Sequence, residues 1–403
     1  MRPRRDPLTF DSIVERLKTD STFLHRAVWA AIALSLLLLI VVIPSLAFEK
    51  PQTTVDQGTT EKGTVRRILE ERTEPGPNGP QFHQRLEVEL KSGPVTIDRT
   101  EEEHDPHHLE LNAGQKVLVT SSPAGDNGER LYFVSDYVRE GSMYIFAIAF
   151  AAFVILVARW QGATSLLGMV LSLLVILRFI IPGIVDGKDP VTISVIGSVV
   201  IMASSLYLSH GISRKTTTAL AGTAIALALT AILAAITISM ARLSGLSDDE
   251  SATLNIITKG GINAEGLLLA GMIIGALGVL DDVCIAQASA VFELNNANRA
   301  LKGWVLFDRA MNIGRDHIAS TVNTLFLAYA GAALPLLIIL SLSTESTSVL
   351  LNREFLATEL VRTFVGSLGI IASVPLTTAI AAWSLGVSPD TSEPDAEPHG
   401  HFH

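Results

Sequence analysis

The sequence holds one cysteine in 403 residues. A lone Cys284 excludes any intrachain disulfide, so a segment outside a membrane must fold on its own apolar core. Cys284 sits in an apolar stretch and reads as a small packing residue rather than a nucleophile. Charge is scarce as well: Asp, Glu, Lys and Arg supply 17% of the chain against 48% hydrophobic, which is too apolar for an ordinary soluble protein. The net charge of −10 lies largely outside the apolar runs. No clustered basic patch exists, which argues against nucleic acid as a partner. The G-x-S-x-G elbow, the H-E-x-x-H helix and the P-loop are all missing, so no enzyme class is signalled and no cofactor is expected. Asp281 and Asp282 cannot form a catalytic dyad, because consecutive helical residues point about 100° apart.

What the chain has instead is a series of uninterrupted apolar runs near the ~20 residues that cross a bilayer. The expected fold class is a polytopic α-helical membrane protein with about eight transmembrane helices and a small extracytoplasmic β-rich domain. Residues 1–26 form a basic N-terminus carrying Arg2, Arg4, Arg5, Arg16, Lys18 and Arg26, and residues 27–48 form an apolar anchor. A basic flank ahead of an apolar run places the N-terminus in the cytosol. Ser45-Leu46-Ala47 resembles a signal-peptide cleavage site, but the run exceeds the usual ~7–15-residue apolar core, which favours an uncleaved anchor. Residues 49–140 then lie outside, residues 141–386 form a seven-helix membrane domain, and residues 387–403 form an acidic, disordered tail. Both termini are expected in the cytosol of a cytoplasmic-membrane protein. Arg214, Lys215 and Arg299 to Arg315 flank the inner turns, as that topology requires. Residues 295–315 are expected to form an amphipathic helix, with Ala300, Leu301, Trp304, Phe307 and Met311 on its apolar face. It either lies in the cytosolic interface or packs under the bundle.

In the outer segment, runs of β-formers alternate with turn chemistry such as Pro75-Gly-Pro-Asn-Gly-Pro and Ser92-Gly-Pro. Several short strands in ~80–90 residues point to a small antiparallel barrel or sandwich, with an OB-like barrel the expected form. His104, His107 and His108 stand among carboxylates and are weak metal candidates. Their spacing is loose, no thiolate is near and Pro106 breaks any helix, so a solvated acidic loop is the better reading.

Two membrane stretches carry the polar chemistry. On a helical wheel, Gly271, Gly275, Gly278 and Asp282 share one face of the stretch Gly266 to Glu293. That strip is expected to let a neighbouring helix approach closely, with one carboxylate in the contact. Ionisable groups at such depth are costly and by default indicate function. In the following span, Ser320, Asn323 and Thr324 lie together, with Asp316 one turn below Ser320. Such a strip must face protein or water, because lipid cannot satisfy it. Asp282, Arg315, Asp316, Ser320, Asn323 and Thr324 are therefore the candidate site for a small ion or polar solute. An Asp282–Arg315 pair would make the buried charge tolerable, and an ion pair that only locks two helices is the plainer alternative. Arg178 is expected to snorkel or to pair with Glu265. Gly366 and Gly369, on one face of the last span with Arg362, are further packing glycines.

Three segments resemble the YibE/F-like membrane proteins. They are Gly275-Ala-Leu-Gly278-Val-Leu-Asp-Asp282-Val, the run from Gly314-Arg315-Asp316 through Asn323-Thr324-Leu to Pro335, and Glu359-Leu-Val-Arg362-Thr-Phe-Val-Gly366-Ser-Leu-Gly369. The resemblance spans the chain from about residue 60 and implies a multispanning bacterial membrane protein without an established activity. It favours Asp282 over Asp281 as the acidic position. The basic N-terminal extension and the acidic tail depart from it. The function expected is a transporter or permease for a small ion or polar solute. The alternative is a non-transporting scaffold or sensor whose outer domain binds an envelope protein. A lipid- or envelope-acting enzyme ranks third. The lipid bilayer is the one partner common to all of these, and the oligomeric state is not readable from the sequence.

Overall fold

The computed structural model describes residues 59–76, 79–102, 109–122 and 130–386. The expected basic N-terminus, the anchor at 27–48, His104, His107, His108 and the tail 387–403 lie outside the described residues. The chain divides into two compact units with the boundary between Leu156 and Val157.

The first unit is a five-stranded antiparallel sheet of strand order β3-β2-β1-β4-β5. Its strands are β1 (Thr60–Gly76), β2 (Gly79–Leu90), β3 (Gly93–Glu102), β4 (Lys116–Ser121) and β5 (Tyr132–Tyr137). Strand β1 organises it. Register shifts between Val65 and Arg67 and between Ile68 and Glu70 are bulges that bend the strand. The bend lets Thr60 to Thr64 pair with β4 while Gly63 to Gly76 pair with β2. Gly93, at φ 126°, turns the chain between β2 and β3, a conformation few other residues adopt. Alternation then sends Val65, Leu86, Val88, Ile97, Val117 and Val119 into one buried core. The outer edge strands β3 and β5 also come into contact. On the solvent face, Arg66–Glu89, Arg67–Glu87 and Arg85–Asp98 pair across neighbouring strands. Such exposed pairs are worth about 0–1 kcal/mol each.

The helices are α1 (Glu140–Val175), α2 (Ile181–Val185), α3 (Pro190–His210), α4 (Arg214–Ala241), α5 (Asp249–Ile257), α6 (Ala264–Ala297), α7 (Gly303–Ala332), α8 (Leu334–Leu342), α9 (Thr347–Leu351) and α10 (Glu354–Gly386). Polar side chains set their starts. Asp189 accepts from the Thr192 amide, Ser213 from Thr216, Asp248 from Ser251 and Asn263 from Gly266, each satisfying an amide that the helix leaves free. Among the described residues, five helical stretches are long and apolar enough to cross a membrane: 140–185, α3, α4, α6 and α10. The pair α7–α8, bent by 65°, makes a sixth if it is one span. These lengths and compositions suit a membrane-embedded chain.

In the second unit α4, α6 and α10 pack on one another, α7 lies mainly against α10, and α3 lies against α6. Glycines permit the closest of these approaches. A Cβ on Gly222 of α4 would sit 2.3 Å from Thr377 Oγ1 of α10, and one on Gly369 of α10 would sit 2.3 Å from Thr230 Oγ1 of α4.

The joint expected between the second and third spans is a kink: two helices meet at Arg159, whose backbone is non-helical (φ 53°, ψ −129°), and the second continues through a π-helical turn Ile176–Ile180 into α2. One expectation changes. The interspan segment 295–315 is not an independent amphipathic helix. After a turn at 298–302, its helical part is the first third of α7. The buried face there is Leu306, Ala310, Met311 and Gly314, and Trp304 is 78% exposed. The face is rotated because Val291 of α6 and Ala381 and Ala382 of α10 close on Leu306 and Ala310.

Candidate functional site

Helix α6 passes through the bundle with its neighbours on one side only. Met272, Ile273, Leu277, Leu280, Val283 and Val291 are buried against α3, α4, α7 and α10. The opposite face is open among the described residues. Gly271, Gly275 and Gly278 are exposed, and a Cβ on any of them would meet no described atom within 4 Å. No described helix packs on this strip, where a close contact is expected. The glycines that do hold helices together are Gly369, against Thr230, and Gly366, against Leu325 of α7 at 3.4 Å. Gly222 and Gly314 join them, and a Cβ on Gly314 would lie 2.5 Å from Val374 of α10.

Asp282 continues the open glycine face and is exposed, about 27 Å along α6 from Ala264 at 1.5 Å per residue. The polar strip of α7 is open too: Arg315, Asp316, Ser320, Asn323 and Thr324 are all exposed. Their hydrogen bonds are local. Arg315 donates to Asn312 Oδ1 at 2.8 Å, and Thr324 donates to the Ser320 carbonyl at 2.9 Å. No ion pair joins Asp282 to Arg315 among the described residues, so the helix-locking pair does not form. The titratable neighbour of Asp282 is instead His210, at the end of α3. Arg178 is exposed and makes no ion pair with Glu265, and Arg362 bonds Glu359 one turn away at 2.7 Å.

Two groups escape the wheel argument. The first is Asp281, set aside beside Asp282. It lies near α3, where the Ser205 hydroxyl is its polar neighbour. Its Oδ1 is buried with no hydrogen-bond partner. The signal that would have found it is the run Ser204-Ser205 with Ser209-His210 on an otherwise apolar span. The second is Gln287, 2% exposed, whose Nε2 donates to the Ala310 carbonyl of α7 at 3.2 Å and to Thr378 Oγ1 of α10 at 2.7 Å. It ties three helices together. A glutamine in a membrane-grade run was itself the clue.

Among the described residues no three His, Cys, Asp or Glu side chains converge as a metal site would require. The arrangement is an open face on α6 and α7 bearing carboxylates, hydroxyls and an amide, together with a half-buried carboxyl between α3 and α6. No curated protein and no solved structure matches the chain. The family model described as YibE/F-like protein matches residues 146–386.

Proposed function

This chain belongs to the YibE/F-like family, and we propose that it is a multi-pass transporter of a small ion or polar solute, with Asp282 in its polar centre. The observation that carries the proposal is the outward face of α6 and α7. Asp282, Asp316, Ser320, Asn323 and Thr324 are exposed on helices otherwise suited to a bilayer. Lipid offers these groups no hydrogen bonds, at a cost of several kcal/mol per unsatisfied group. A water-filled path along that face would satisfy them and would present carboxylate, hydroxyl and amide oxygens to a passing solute. The open glycine strip beside Asp282 leaves backbone within reach of the same path. The lack of a converging ligand set favours a solute that moves past these groups over a caged metal ion. In this reading the chain has eight spans, both termini in the cytosol of a cytoplasmic-membrane protein, and the sheet outside.

The test is solute flux in proteoliposomes containing the full-length chain, against a panel of small ions and polar solutes. Flux that falls at least tenfold in Asp282→Asn, with folding intact, supports the reading. Flux unchanged in that variant removes Asp282 from the path, and an absence of flux for the whole panel removes transport.

One observation favours a second reading, a scaffold or sensor. The sheet order, with β3 against β5, suits an OB-like barrel, a fold that binds ligands on its β2–β3 face. That region carries a cleft of about 230 Å³ lined by Glu70, Arg72, His83, Arg85, Asp98 and Thr100 among others. A photo-reactive side chain placed at Thr100 of the full-length chain would crosslink a stoichiometric envelope protein if this reading holds.

A further inference from the structure

We infer that Asp281 is a proton-binding carboxyl held between α3 and α6, and that it couples proton movement to the transport proposed above, on which the coupling part rests. The two adjacent aspartates occupy different surroundings. Asp282 is exposed on the open face, whereas Asp281 is half-buried on the flank of α6 that meets α3. There the Ser205 hydroxyl is its polar neighbour. Beside Ser205 lies Gly168 of α1, whose missing side chain lets α3 approach: a Cβ there would stand 3.7 Å from the Ser205 Cα and 3.9 Å from the Ser205 and Ser209 hydroxyls. The serine is thus held between α1 and α6.

The Asp281 Oδ1 is buried and has no hydrogen-bond partner. A buried acceptor left unpaired is costly, so the position asks for a hydrogen. A proton meets that need with the one oxygen available. A metal cation would need about six oxygen ligands, and no three ligating groups converge here. The step balances as a proton transfer: hydronium gives up a proton, so one of its O–H bonds breaks, an O–H bond forms at Asp281 Oδ1, and water leaves. In the reverse step the proton returns to water.

The titratable and charged groups around Asp281 are few. On α6 they are Asp282 and Cys284. Helix α3 contributes the Ser205 hydroxyl, and His210 acts on Asp282. Lys215 of α4 acts in turn on His210. The hydroxyls of Thr223 on α4 and of Ser373 and Thr377 on α10 surround Cys284 rather than Asp281. His210 and Asp282 are both exposed, and they mark the accessible end of the α3–α6 seam, by which a proton reaches Asp281.

The experiment reads the proton directly, without a solute. Infrared spectra of the full-length chain in lipid nanodiscs are compared across about pH 5 to about pH 9 in wild type, Asp281→Asn, Asp282→Asn and Ser205→Ala. The expected result is a carboxylic-acid carbonyl band that titrates in wild type and Asp282→Asn and vanishes in Asp281→Asn. In Ser205→Ala the band should shift in frequency, because the hydroxyl beside the carboxyl is gone. If Asp281→Asn fails to fold, that shift carries the test, since a band from any other carboxyl would ignore Ser205. A titrating band that survives Asp281→Asn, or one that leaves only with Asp282→Asn, overturns the inference. The band stands independently of any flux. A titrating band in a chain that moves no solute removes the transport reading and the coupling but leaves the proton site. Flux without the band removes the proton site alone. If both are present, uptake driven by a pH gradient should fall at least tenfold in Asp281→Asn.

Discussion

Substituting two glycines in parallel separates a packed helix face from an open one. In Gly222→Ala the new Cβ would lie 2.3 Å from Thr377 Oγ1, 3.0 Å from its Cβ and 3.2 Å from its Cα. A rotamer change moves the hydroxyl but not the backbone, so α4 and α10 must separate. Overpacking of this kind costs about 1–3 kcal/mol. Alanine's better helix propensity returns about 0.5–1 kcal/mol, for a net loss of about 1–2 kcal/mol. With about 2–4 °C per kcal/mol in a domain of this size, the Tm should fall by about 2–8 °C. In Gly271→Ala the Cβ meets nothing within 4 Å. Only the propensity gain remains, so its Tm should hold or rise by about 2–4 °C. Thermal unfolding of both full-length variants in one detergent, followed by fluorescence-detected gel filtration, reads the contrast. An equal loss at Gly271 would mean that something covers the α6 glycine strip. No loss at Gly222 would mean that α4 and α10 part freely, which would sink the packing argument.

Three further outcomes follow from the geometry. Gln287→Leu removes the link from α6 to Ala310 and Thr378 and should cost about 1–2 kcal/mol in the same thermal assay, the range for interhelical hydrogen bonds in membranes. Glu354 accepts from the Ser244 amide and hydroxyl and from the Gly245 amide, so Glu354→Gln should weaken that clasp by about 1–3 kcal/mol. Faster hydrogen exchange at residues 242–247 would report it. In the sheet, the hydrogen bond from Arg85 holds the Asp98 carboxyl below its usual range, and Arg66 does the same for Glu89. Each group therefore stabilises the fold above the unfolded-state value of about 4 and loses that contribution as pH falls through its lower folded value. Exchange at residues 79–102 should accelerate below about pH 4, and less so in Arg85→Gln, whose Asp98 has already lost its partner.

The β-rich segment was legible because alternation and turn residues act locally. Val65, Leu86, Val88 and Ile97 fall in the core on period two alone. What alternation does not carry is the bend of β1, since the bulges at Arg66 and Leu69 look like ordinary strand residues. Among the helices, the apolar runs and the break at Arg159 were visible, but the joint after α6 was not: the stretch before Gly314 belongs to α7 rather than to a separate surface helix.

The sequence by itself determined the apolar runs of bilayer length, the β-rich segment, the family, and the angular relation of Asp281, Asp282 and the glycines on one helix. Only the tertiary structure decided what each of those faces meets. The reason is physical. In water, an apolar stripe points inward, because its opposite is solvent. In a bilayer, lipid is as apolar as a helix interior, so hydropathy cannot tell the packed side of α6 from the open side. A wheel therefore gave the angle between Asp281 and Asp282 without its origin. The positions of α3, α4, α7 and α10 supplied that origin. They turned the expected glycine contact into an open face and brought Asp281, rather than Asp282, against Ser205.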